Sequence, residues 1–511
     1  MRFKYALAAV LAVAVLCGCS RINYDNGGEN AQNGTENGQN PQFNDNQSTP
    51  FPVNRRAYSD KKQMEELTEA EVLSDFPDFE GEGYIRLTEG QKADFRLNLP
   101  ASQHYGIGLV MRTEEAVISL STSGEELGAF YLKNADEFTE IRLEGLYLSA
   151  GVNHLTLTQL KGTAYIDFLL VNDFELPQAR FQTSRLPANL SASNNVRLLM
   201  DYFGEIFGKK TLLAQHVTPG TNAELNALLE KTGRLPALRC SDLMAYSRSY
   251  RGEKPAVNDI ELALEWAQKG GLLSYSWTWY SPVIGGSKSH YYAGLSDFRL
   301  NEAFTTVNVA TMGEEEVAAL YEAGTVSRSC LEIIREIDHM AENLKPLQEA
   351  KIPLLWRPLH QASTKWFWWG DCDTEAYKWL WRLMFERFSD FHGLDNLIWV
   401  WAGQDADYYP GDEFADIIGE DIYNTGETSN LPVFVRAGMY SSRRKLTAMT
   451  ECGLLPSPDL LNRDSAFWLW TALYRGDYII DSELNTKARL DRAYSHEVTI
   501  TLDKLPEIFF S

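Results

Sequence analysis

Histidine and cysteine are scarce in this chain, with eight and six among 511 residues. The histidines are scattered, and Cys240, Cys330, Cys372 and Cys452 stand far apart without the paired spacing of a zinc site, which argues against a metal enzyme. Those four thiols are compatible with burial or with a disulfide. Positive charge is also short. Against 70 acidic residues stand 47 basic ones, a formal charge of -23 that repels nucleic acid and anionic lipid, so a neutral partner fits better. Nothing in the chain resembles a phosphate-binding glycine loop or a Ser/His/Asp arrangement. Beyond the first twenty residues no apolar run is long enough to cross a bilayer.

What is present begins with a leader. Arg2 and Lys4 precede an apolar stretch from Ala6 to Leu16, and Leu16-Cys17-Gly18-Cys19 looks like a bacterial lipobox. Removal of residues 1–18 and lipid attachment to Cys19 are expected, holding the chain on the outer face of a bacterial membrane or at the cell surface. Residues 19–54, rich in Asn, Gly and Gln, cannot bury enough apolar surface to fold and read as a flexible tether.

Residues 75–175 alternate in character. In DFRLNLP, AVISLSTS, EIRLEGLYL and HLTLTQL apolar and polar side chains take turns, with Phe95, Leu97 and Leu99 facing one way and Leu155 and Leu157 likewise. Short alternating strands between Gly, Asn and Ser turns predict an antiparallel β-sandwich. The strand around Tyr105, the SAGVNHLTL turn and the closing AYIDFLLV resemble the carbohydrate-binding modules of family 35. That resemblance implies sugar binding and a structural calcium, although no acidic cluster in the sequence identifies the calcium. A purely structural sandwich fits the residues equally well.

From 195 to 511 amphipathic helices alternate with short buried runs, which predicts an α/β fold, a (β/α)8 TIM barrel. With TLLAQH as first strand and LPALRCSD as second, residues 272–279 are third, IPLLWRPLHQ fourth, LTAMTE seventh and FWLWTAL eighth. Working residues of such barrels sit at the C-terminal strand ends. Gln361 ends the fourth strand and Glu451 the seventh, so their side chains can approach across the mouth. Retaining cleavage of a glycosidic bond needs two carboxyl groups about 5 to 5.5 Å apart, one attacking the anomeric carbon and one protonating the leaving oxygen. Glu451 suits the first role.

The ordered combination of PLLWRPLHQASTKWFWWG, the stretch from LWRLMFERF to GEDIYN, and TAMTECG resembles glycoside hydrolase family 26, best known for endo-β-1,4-mannanases. The resemblance implies a retaining enzyme acting on β-mannan or a related β-glycan polysaccharide, with no cofactor required for catalysis. It assigns Glu451 as nucleophile, Tyr423 as the tyrosine near it, and His360, Arg357, Trp366 and Trp369 as substrate-binding residues. Trp277 and Trp401 join that set, although Trp356, Trp399 and Trp401 fit the barrel core equally. Two departures stand out. Gln361 occupies the position of the acid/base glutamate, and Thr278 stands where the family has histidine. An amide keeps the shape of the site but carries no acidic proton, so usual hydrolysis should be strongly impaired unless Asp371 or Asp373 supplies the acid. The alternative is a glycan-binding lipoprotein that keeps the cleft without the turnover.

Overall fold

The computed structural model describes residues 55–250, 252, 258–424 and 426–507. The expected leader, Cys19 and the tether lie outside the described residues. Ten strands form the N-terminal unit: β1 (Ser59–Gln63), β2 (Val72–Leu73), β3 (Tyr84–Thr88), β4 (Lys92–Leu99), β5 (Gln103–Thr113), β6 (Ala116–Thr122), β7 (Glu125–Leu132), β8 (Ala135–Leu148), β9 (Gly151–Lys161) and β10 (Thr163–Asp173). They make two antiparallel sheets, one ordered β2-β3-β10-β5-β8 with β1 also on β10, the other β4-β9-β6-β7. In β4 every second residue is buried, and Phe95, Leu97 and Leu99 enter the shared core with Leu155 and Leu157 of β9. The sandwich starts earlier than residue 75, because SDKKQ forms β1 along β10 despite its polar sequence. Backbone pairing to β10, not apolar alternation, makes it a strand.

Eight parallel strands close the barrel: β11 (Thr211–His216), β12 (Leu238–Asp242), β13 (Leu272–Trp277), β14 (Leu354–Pro358), β15 (Leu397–Trp401), β16 (Ile417–Ile422), β17 (Leu446–Cys452) and β18 (Trp470–Leu473). Each pairs with the next, β18 pairs with β11, and β11 with β12, in the order the apolar runs predict. A short ninth strand, β19 (Thr499–Ile500), adds to β11. Alternation along each strand sorts side chains between two cores. Leu355 of β14 and Ile398 and Val400 of β15 join one cluster, while Trp356, Trp399 and Trp401 join another that includes helix residues Trp381, Phe385 and Phe388. The second group faces outward, and that parity decides which tryptophans reach the mouth. Among the described residues no helix is long and apolar enough to cross a membrane. Cys240, Cys330, Cys372 and Cys452 are free thiols.

The two units touch. His104 Nε2 of β5 lies 2.8 Å from Asp464, the Arg436 guanidinium sits 5.3 Å from the Tyr131 ring, and Lys133 reaches Asp405 and Asp407 of the barrel. At Gly145 (φ 84°) the sandwich backbone presses on Leu431, leaving no room for a Cβ.

Candidate active site

Strand four delivers the first charged group. Arg357 shares the parity of Leu355 and points into the barrel, where Nη1 donates to Ser276 Oγ at 2.8 Å and to Glu451 Oε1 at 2.9 Å. Its Nη2 is ion-paired with Asp421. Strand six contributes Asp421 and, two residues on, Tyr423, whose hydroxyl donates to Glu451 Oε2 at 2.5 Å. A register irregularity after Glu420 sets Asp421 opposite Glu451. Each oxygen of Glu451 is therefore oriented by a different donor, while the Thr450 hydroxyl donates to Asp421 Oδ1 at 2.6 Å.

Past the end of β14 the backbone turns sharply. Leu359 (φ 50°) and Gln361 (φ 53°) both adopt the left-handed region on either side of His360. Gln361 N–H donates to Ala402 O at 2.7 Å, its carbonyl accepts from Thr364 Oγ1 at 2.7 Å, and its Nε2 donates to Asp421 Oδ2 at 2.6 Å. Gln361 and Glu451 thus both meet this cluster, Gln361 through Asp421 and Glu451 through Arg357. Asp421 links the two, a role the sequence reading missed although the strand period puts it on the same face as Tyr423.

Burial governs the electrostatics. It pushes Asp421 up to about 6 against the pull of Arg357, and the Glu451 charge adds to the rise. Burial disfavours the Arg357 charge, but Asp421 and Glu451 more than offset it and keep the guanidinium protonated. His360 is held neutral, first by burial and then by Arg357. His216 of β11 is lowered to about 3 for the same two reasons, and its Nε2 donates to Thr450 O at 2.8 Å. The cluster carries one buried cation and two carboxylates, so its charge balance depends on which carboxyl keeps a proton.

The tryptophans divide. Trp277, Trp369 and Trp401 are fully buried, which corrects the expectation that they offer ring faces to a sugar. Trp277 and Trp401 have the outward parity of their strands, Trp277 stacking on Trp279 at 4.0 Å. Trp369 is enclosed by Phe367, at 4.4 Å, and donates Nε1 to His360 O at 2.9 Å, so it props the turn that carries position 361. Trp356 and Trp399 are core as well. Trp366 alone of the cluster in 353–370 is only partly buried.

Thr278 is spoken for by Asp242 at the end of β12, with hydroxyl and N–H at 2.7 and 3.1 Å from Oδ2. Asp371 and Asp373 lie exposed, and Asp373 accepts from Asn301 Nδ2 at 3.0 Å. Neither takes part in the hydrogen bonds around Gln361.

Among the described residues no group of three or more His, Cys, Asp or Glu side chains is arranged to hold a metal. A mixed set of oxygens does gather in the sandwich. Gln63 Oε1, Glu65 Oε2 and Asp167 Oδ1 are buried without hydrogen-bond partners. Asp167 Oδ2 and Glu65 Oε1 accept from the N–H groups of Glu80 and Glu82 at 3.0 Å each, and a Cβ at Gly81 between them would run into Glu65. Burial, reinforced by Glu65 and Glu80, pushes Asp167 up to about 6. Orphaned oxygens of this kind fit an oxygen-seeking cation such as calcium.

The chain is 32% identical over 370 residues to a mannan endo-1,4-beta-mannosidase of Thermothelomyces thermophilus, covering 72% of this chain and 73% of that protein. It is 27% identical to mannan endo-1,4-beta-mannosidase B of Piromyces sp, covering 85% and 74%. Among solved structures, the Podospora anserina GH26-CBM35 beta-(1,4)-mannanase matches with TM-score 0.58 at 27% identity, over 89% of this chain and all of that one. A ruminal GH26 endo-beta-1,4-mannanase shares the fold with TM-score 0.65 at 22% identity, over 90% of this chain and 99% of that one. The profile of Glycosyl hydrolase family 26 matches residues 188–504, and the chain belongs to that family.

Proposed function

We propose that this chain acts on β-1,4-mannan or a closely related β-glycan at the barrel mouth, as a retaining glycosidase with Glu451 as nucleophile. The observation that carries this is the clamp on Glu451: Arg357 on one oxygen and Tyr423 on the other hold the carboxylate at the C-terminal end of β17. The named relatives are mannan endo-1,4-beta-mannosidases, and a 27% identical structure with TM-score 0.55 is a beta-mannanase complexed with gluco-manno-oligosaccharide.

In the first step a Glu451 oxygen bonds to the anomeric carbon as the bond from that carbon to the leaving oxygen breaks. The leaving oxygen needs a proton, and the Gln361 amide has none at an acidic pKa. In the second step water attacks the glycosyl-enzyme and must lose a proton, which an amide cannot accept. General acid/base help is worth about 100- to 10,000-fold, so turnover of natural mannan is slow here. The Gln361–Asp421 hydrogen bond favours a second reading, in which the cleft holds glycan without cleaving it.

The sandwich serves as a carbohydrate-binding module steadied by calcium at Gln63, Glu65 and Asp167. A lipid on Cys19 holds the whole at the outer surface of a bacterial membrane. To test the activity, the purified chain is incubated with mannan, glucomannan and mixed-linkage β-glucan and new reducing ends are counted. Slow release from mannan that disappears in Glu451→Ala supports the enzyme; glycan binding with no release supports the second reading; neither binding nor release sinks both.

A further inference from the structure

One turn of the sandwich reaches the loop that follows barrel strand five. Lys133, at the turn between β7 and β8, donates to Asp405 Oδ1 at 3.4 Å and is ion-paired with Asp407. Both aspartates lie just past Gln404 (φ 64°), whose Nε2 donates to the Asp421 carbonyl at 3.1 Å and whose own carbonyl accepts from Tyr440 at 3.2 Å. One turn along, Glu115 between β5 and β6 accepts from Lys161 Nζ at 2.7 Å. Its carboxyl is held below the usual range chiefly by Lys161, with Lys365 and Lys133 also contributing. Lys365 comes four residues after Gln361 and directly before the partly open Trp366. The turn around Lys133 therefore stands against the loop that follows strand five, the loop that fastens the Asp421 backbone through Gln404 and accepts the Gln361 and Ser363 N–H groups at Ala402 and Gly403.

We infer that the turns around Glu115, Lys133 and Lys161, neighbours through the Ala116–Leu132 pairing, form an outer wall of the glycan cleft beside the Asp405–Asp407 loop. Sugar units at the far end of a long chain touch this wall, and a short oligosaccharide at the mouth does not reach it. Exposed ammonium and carboxylate groups suit the hydroxyls of a neutral sugar, each able to give or take a hydrogen bond without an ionic partner on the ligand. Lys133 acts as a positioning residue, pinning the wall to the Asp405–Asp407 loop. This inference rests on the glycan reading above.

Its test is length dependence. Mannobiose and mannohexaose are titrated calorimetrically into the full chain carrying Glu451→Gln, so that nothing is cleaved, and into the same chain with Lys133→Ala or Glu115→Ala added. The expected result is a hexaose affinity lower by about three- to tenfold, as for one or two lost hydrogen bonds, with mannobiose unmoved. Unchanged hexaose affinity, or equal loss for both lengths, overturns the wall while leaving the glycan reading intact. Failure of the parent to bind either sugar overturns both.

Discussion

Gln361 Nε2 and Asp421 Oδ2 are 2.6 Å apart, and the bond between them closes a chain of contacts from Gln361 to Glu451 through Arg357. A carboxyl at 361 would face a second carboxylate at hydrogen-bonding distance, and two such groups share one proton rather than ionise together. That is the condition a general acid needs near neutral pH. Gln361→Glu is therefore expected to raise mannan hydrolysis by about 100- to 10,000-fold. Reducing-end assays on both forms check this; equal rates would mean that position 361 is not where the proton is given.

Arg357 is the only cation in direct contact with both Asp421 and Glu451 among the described residues. Arg357→Met removes it and leaves two buried carboxylates facing each other, a loss of about 3–5 kcal/mol in folding stability. Urea titration of the two forms measures it, with the midpoint moving down at unchanged slope. A variant of undiminished stability would show that water already screens the pair.

Much of this was legible beforehand, and the exceptions have physical causes. Six of the eight barrel strands, the first to fourth, the seventh and the eighth, can be numbered from sequence because apolar runs between amphipathic helices mark buried parallel strands without any knowledge of contacts. Strand ends bring out Gln361 and Glu451 as candidates, and their roles come from the resemblance to glycoside hydrolase family 26. Depth was not legible: Trp277 and Trp401 sit at strand ends like the working residues, but a one-residue difference in parity turns them to the helix layer. Asp421 was overlooked because a single aspartate in GEDIYN has many ordinary uses, and only the register against Glu451 gives it one. β1 was invisible because its sequence is polar and its reason for being a strand lies in β10.

His216 makes stability depend on pH. Folded, it titrates near 3, against an ordinary value of 6.5. Between those values the unfolded chain binds a proton that the folded chain refuses, so this contribution is lost as pH falls from about 6.5 toward 3. Asp421 has the opposite sign, its contribution being lost as pH rises through about 6. Comparing chains isolates the histidine: His216→Gln, which can still donate to Thr450 O, should flatten the acid limb of melting temperature against pH. An unaltered limb would assign the acid sensitivity elsewhere.

The oxygens of Gln63, Glu65 and Asp167 give a further expectation. Calcium should raise the melting temperature and EGTA lower it, and Asp167→Asn should remove the difference. Below about pH 6 the effect should fade, because Asp167 takes up the proton that the cation must displace. Identical melting curves with calcium and with chelator would leave the three oxygens without a ligand.

The left-handed backbone at Leu359 and Gln361 costs on the order of 1–2 kcal/mol per residue, and a surface turn has no need of it. Here it aims one side chain at the mouth, with Trp369 bracing the carbonyl of His360 from behind. Amide and acid have the same outline, so the mould accepts either without moving a backbone atom. On the function proposed above, the difference between a catalyst and a receptor at this mouth is an NH2 in place of an OH, set in a frame already cast for both.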